Sequence, residues 1–191
     1  LRAESIQLHA SPADKAAAVD LLVALHSKAG NLTDQTLYKK DILAREEQGT
    51  TAIGSGIAVP HAKSAAVKRP GLAAITVPGG VDYDAPDGQP STLFFMIAAP
   101  KDGGDTHLEI LSRLMVMLMD ETFCQRLLSA GDATEFLACI DRQEAEKYPD
   151  EVSAPSQEYG PEYRIVAVTA CPTGIAHTYM AAEALEKKGA E

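Results

Sequence analysis

Residues 54–64, Gly54-Ser55-Gly56-Ile57-Ala58-Val59-Pro60-His61-Ala62-Lys63-Ser64, decide how the rest of the chain is read. Two glycines lead into a short apolar run, Ile57-Ala58-Val59. Such a run bounded by turn residues marks a buried strand. Pro60 is expected to end it, because proline has no N–H to give to a sheet ladder. His61 follows at once, so the chain delivers one imidazole to the end of a strand. Gly54 and Gly56 permit close backbone approach, and Pro60 fixes the backbone that presents the ring.

On the N-terminal side, Ser11-Pro12-Ala13-Asp14 reads as a helix start, with Ser11 as N-cap and Pro12 at the first helical position. That helix runs to Gly30, a C-terminal glycine. A second begins at Thr33 or Asp34 and continues through LYKKDILAREE. On the C-terminal side, GLAAITVP (71–78) and TLFFMIAAP (92–100) read as buried strands, separated by the turn-rich GGVDYDAPDGQP. Thr106-His107-Leu108-Glu109 has capping-box spacing and opens an apolar helix. Shorter helices are expected near 122–129 and 133–143. This order predicts an α/β fold, a mixed β-sheet flanked by helices.

The tail differs. Residues 141–162 hold seven acidic and two basic residues with three prolines, the composition of a linker. YRIVAVTA then reads as a new strand, CPTGIAHT as a loop and YMAAEALEKKGA as a helix. One strand and one helix cannot bury their own faces, so this second module is expected to be cut short. The expected organisation is a domain over 1–145, an acidic proline-containing linker over 146–162 and the start of a parallel-sheet α/β domain over 163–191.

Composition narrows the function. The net charge of −10 argues against nucleic acid, whose phosphates demand a basic face. With 191 residues, 46% of them hydrophobic, the chain can bury a real core, yet no apolar run is long enough to span a bilayer. The start, LRAESIQLHA, has neither an initiator Met nor the pattern of a signal peptide. Three cysteines without regular spacing fit a reducing cytoplasm better than a disulfide framework.

Two sites carry chemistry. Cys171 stands where a strand opens into a loop and a helix N-terminus, where converging N–H groups favour a thiolate and would hold a phosphate placed on sulfur. Gly174 lets the backbone come close, and Thr173 and Thr178 offer hydroxyls. The spacing is that of a cysteine phosphatase loop, but His177 stands where those enzymes have arginine, so the loop suits holding a phosphocysteine rather than hydrolysing it. A small buried cysteine is the plainer alternative. At the other site, His61 is a competent phosphate acceptor. His107, in the first turn of its helix, could stabilise phosphoryl oxygens together with that helix terminus. Arg45, at the end of the second helix, has a fork suited to phosphate, or is a solvated helix-end charge. His61 could equally be a hydrogen-bonded loop histidine without chemistry. His9 and His26 read as structural. Without short-spaced ligand pairs, neither metal nor cofactor is expected.

These residues carry a family likeness. GIAVPHAKS, DTHLEILSRL and LAREEQGTTAIGSGIAVPH resemble the phosphohistidine segments of enzyme IIA domains, fructose–mannitol class, in the bacterial phosphoenolpyruvate:sugar phosphotransferase system. VTACPTGIAHTYMAAEALEKKG resembles the start of a fructose-type enzyme IIB domain. The resemblance implies a phosphoryl relay from the phosphocarrier protein HPr, or a fructose-specific variant, to His61, then to Cys171, then to sugar in a membrane IIC domain. It gives His107, Arg45, Thr173, Gly174 and Thr178 supporting roles, and implies a cytoplasmic protein tethered to the membrane through IIC. The chain is then expected to be a piece of a longer IIA–IIB–IIC protein for fructose or a related sugar. A regulatory phosphohistidine module and a cysteine phosphatase are the rival readings.

Overall fold

The computed structural model describes residues 1–102 and 106–148, with the backbone alone for 106–109. Cys171, Thr173, Gly174, Thr178 and nearly all of the expected linker lie outside the described residues.

Six strands form one mixed sheet: β1 (Ile6–Gln7), β2 (Ala52–Gly54), β3 (Ile57–Ala58), β4 (His61–Ser64), β5 (Gly71–Val81) and β6 (Ser91–Pro100). The spatial order is β1-β5-β6-β3-β2, and β4 also pairs with β6. β5 and β6 are antiparallel, with Ile75 opposite Phe94 and Ala73 opposite Met96. β3 and β4 run parallel to β6, and β2 closes the edge antiparallel to β3. β6 is buried on both faces because strand side chains alternate. Phe94, Met96 and Ala98 point to one core, where helices α1 (Lys15–Lys28) and α2 (Gln35–Glu46) pack with Leu22, Tyr38 and Ile42. Leu93, Phe95 and Ile97 point to the other, where α3 (Thr106–Leu118), α4 (Glu121–Ser129) and α5 (Ala133–Lys147) supply Leu114, Phe123 and Phe136. This is the mixed α/β sandwich expected.

β5 runs past its expected end through Gly79-Gly80-Val81, and three further boundaries depart from the sequence reading. The first is Pro60, which interrupts its strand without ending it. Ile57 lies opposite Leu93, Ala58 opposite Phe94 and His61 opposite Ile97, so β3 and β4 keep one register along β6 across the gap. Proline removes only its own N–H; its carbonyl still accepts from the Ile97 N–H at 2.9 Å. His61 therefore opens the second half of an interrupted strand. The second departure is at α1. Its N-cap is Asp14, whose carboxylate accepts from the Ala17 N–H at 2.8 Å, so Ser11 and Pro12 precede the helix. α1 does close at Gly30, with the Gly30 and Asn31 N–H groups bonded to the Ser27 and His26 carbonyls. Third, α5 runs on to Lys147, through the start of the acidic stretch. There Arg113 of α3 lies 3.6 Å from Glu144 and over the Tyr148 ring, tying the end of α5 to its neighbour.

Candidate functional site

The turn between β2 and β3 is Gly54-Ser55-Gly56, all three with positive φ (91°, 53° and 75°). Glycine suits the first and last of these. Their close approach is to the β5–β6 side of the fold: a Cβ on Gly54 would meet the Asp87 carboxylate, and one on Gly56 the Thr92 hydroxyl. Asp87 also accepts the Ser55 N–H at 2.7 Å, and this hydrogen bond holds the Asp87 pKa below its ordinary value. The glycines thus shape the hairpin that leads to the histidine.

His61 is half-buried. Its Nδ1 lies 2.7 Å from the Val59 carbonyl. A carbonyl can only accept, so Nδ1 carries the proton, and the neutral ring keeps its lone pair on Nε2. Nε2 is therefore the ring nitrogen with a lone pair free to act as a nucleophile or acceptor. A shallow recess beside the ring is lined by Ala62, Ile97, Ala99 and Leu111. Leu111 belongs to α3, and the four-residue spacing puts positions 107 and 111 on one face of that helix. The fold therefore brings the first turn of α3, with His107, to the His61 edge of the sheet. The His107 side chain lies outside the described residues.

Arg45 sits in the last turn of α2, which packs along β4. Its guanidinium donates to the Gly49 carbonyl at 3.1 Å, so its described hydrogen bond is to the loop before β2 rather than to His61. His26 is structural, as read. It is fully buried, with Nε2 donating to the Met96 carbonyl at 3.0 Å and Nδ1 accepting from the Asn31 amide at 3.1 Å. Two features near His61 carried no sequence signal: the Val59 carbonyl, a backbone group, and the buried carboxylate of Glu46, which accepts from Thr51.

The profile of the family described as "Phosphoenolpyruvate-dependent sugar phosphotransferase system, EIIA 2" matches residues 1–143. The chain belongs to this family. A second profile, "PTS system, Lactose/Cellobiose specific IIB subunit", matches residues 166–191 of this EIIA 2 chain. The fructose-specific EIIABC component of the phosphotransferase system of Bacillus subtilis is 44% identical over 192 residues, covering 100% of the chain and 30% of that protein. The 2-O-alpha-mannosyl-D-glycerate-specific EIIABC component of Escherichia coli is 34% identical, covering 97% of the chain and 28% of that protein. The chain thus spans under a third of the length of these two relatives. Among solved structures, the nitrogen regulatory protein IIA-Ntr of Neisseria meningitidis superposes on 73% of the chain and 94% of its own, with a TM-score of 0.68 and 28% identity. Among the described residues, no helix of the EIIA 2 domain is long and apolar enough to cross a membrane.

Proposed function

We propose that the chain is the IIA–IIB relay portion of a fructose-type sugar phosphotransferase, and that His61 Nε2 receives the phosphoryl group from HPr or a fructose-specific phosphocarrier. The observation that carries this reading is the His61 Nδ1–Val59 carbonyl bond, which leaves Nε2 as the lone-pair nitrogen. In the transfer step, Nε2 attacks phosphorus and a new N–P bond forms. The donor's N–P bond breaks, and its electron pair stays on the donor nitrogen. The ring becomes more positive as it takes up phosphorus, which strengthens the Nδ1–H bond to Val59. His107 and the amides of the first turn of α3 are proposed to hold the phosphoryl oxygens, with Arg45 as a further cation. Cys171 then takes the group on sulfur, with Thr173, Gly174 and Thr178 around it.

In this reading the domain runs through the end of α5 at Lys147, past the expected 1–145 boundary, and the linker follows it to residue 162. The partners are the phosphocarrier, the IIB portion and a membrane IIC domain that keeps the relay at the cytoplasmic face. Fructose is favoured by the 44% identity along the whole chain. The test is incubation with phosphoenolpyruvate, enzyme I and HPr, followed by mapping of the acid-labile phosphate. Label is expected on His61 and absent from His61→Ala; undiminished labelling of that variant would refute the assignment. A regulatory role is the second reading, favoured by the likeness to the Neisseria nitrogen regulatory protein. Phosphate that passes from His61 to a IIB cysteine supports the transport reading, and phosphate that stays on His61 in the presence of intact IIB supports the regulatory one.

A further inference from the structure

The loop between α2 and β2 contains an antiparallel hydrogen-bond pair that is only half made. β2 and β3 pair with Ala52 opposite Ala58, which places Thr51 opposite Val59 in the next position. The Val59 N–H donates to the Thr51 carbonyl at 3.0 Å. In an antiparallel ladder such a residue pair exchanges two bonds, and the partner bond would run from the Thr51 N–H to the Val59 carbonyl. Here the Thr51 N–H turns instead to Glu46 Oε2 at 3.3 Å. The other carboxylate oxygen, Oε1, accepts from the Thr51 hydroxyl. Glu46 is buried at the end of α2 and is paired with Lys15 Nζ at 3.1 Å. The Val59 carbonyl is left for His61 Nδ1.

We infer that Glu46 is a positioning residue for the phosphoryl acceptor: by holding the Thr51 N–H, it frees the Val59 carbonyl to fix His61 in the tautomer with its lone pair on Nε2. The inference rests on the proposed role of His61 in the relay. It also explains why a carboxylate is kept in a buried place. Such a group is costly there unless it is bonded, and Glu46 meets that cost with one lysine and two donors from a single residue. Lys15 shares its ammonium with Asp84 at 2.9 Å and lies over the Tyr83 ring, which anchors the carboxylate between α1 and the β5–β6 loop.

The tautomer can be read without any phosphate donor, from long-range proton–nitrogen correlations of the His61 ring in the 191-residue chain at a pH where the ring is neutral. The unaltered protein is expected to show Nδ1–H. Glu46→Gln keeps an acceptor oxygen and should keep that tautomer. Glu46→Ala should let the Thr51 N–H close onto Val59, mix the two tautomers and slow labelling of His61 roughly tenfold. An unchanged tautomer in Glu46→Ala, or Nε2–H in the unaltered protein, would overturn the inference. Should Glu46→Ala not fold, the double variant Lys15→Met with Glu46→Leu removes the acceptor without stranding an ammonium, and the same tautomer result is required of it. Loss of the relay reading is a separate outcome: it appears as phosphate on His61→Ala, whatever the tautomer.

Discussion

At the scale of the residue, the fold places two histidines in opposite settings. His61 is half-buried, with Nδ1 bonded to the Val59 carbonyl and Nε2 the proposed phosphoryl acceptor. His26 has both nitrogens bonded and no access to water. Burial lowers the His26 pKa from its ordinary 6.5 to about 4, against the opposing effect of the Met96 carbonyl. The unfolded chain therefore takes up a proton on this ring before the folded one does. Its contribution is complete above about pH 6.5 and fades as pH falls toward about 4, by up to roughly 3 kcal/mol. The ring should titrate near pH 4 in the folded protein by NMR, while urea stability declines across that window. A midpoint near 6.5 would remove the effect. If His107 holds the phosphoryl oxygens as proposed, its replacement by alanine should slow transfer roughly 100-fold while His61 still labels. Phosphate mapped to His107 itself would reverse the two roles.

At the scale of the element, what could be read from sequence divides along physical lines. The strands read at 71–78 and 92–100 were legible because continuous apolar runs between turn residues have few other uses, whereas the end of β5, Gly79-Gly80-Val81, reads as turn in sequence. The position of His61 next to a short strand was legible because glycine, a short apolar run and proline frame it. The strand that resumes at His61 was not, since nothing in the sequence shows that the Pro60 carbonyl has a partner across the sheet. Nor was the cap of α1: Ser11 and Asp14 are both good caps, and only the folded backbone brings Asp14 to the Ala17 N–H. Gly71 is a further case. A Cβ there would lie 2.1 Å from the Asn31 amide nitrogen. Asn31 cannot easily yield, because it is buried and bonded to His26 and Arg69. Gly71→Ala should therefore cost about 1–3 kcal/mol and disturb the His26 ring signals. A neutral effect would mean that Asn31 has another place to go. At α5, the Asp132 carboxylate accepts from the Thr134 and Glu135 N–H groups. Asp132→Ala should cost about 1 kcal/mol in urea unfolding.

At the scale of the domain, β6 is the element that both layers share. Phe94 meets Tyr83 edge-on in the core under α1 and α2, while Phe95 meets Phe136 in the core under α3, α4 and α5. Both phenyl groups are fully buried. Replacing either by alanine should cost about 3–5 kcal/mol, a large part of the about 5–15 kcal/mol that holds a domain folded. A single strand cannot lose its register toward one layer and keep it toward the other, so the loss should be felt across the sheet. Phe95→Ala faces α5, yet it should reduce the hydrogen-exchange protection of the slowest amides of α1 as much as those of α5. Phe94→Ala should do the same in the opposite direction. Protection lost only on the mutated side would mean that the two layers open independently. The site depends on which holds, because His61 lies on β4, alongside β6, between α2 of one layer and Leu111 of the other.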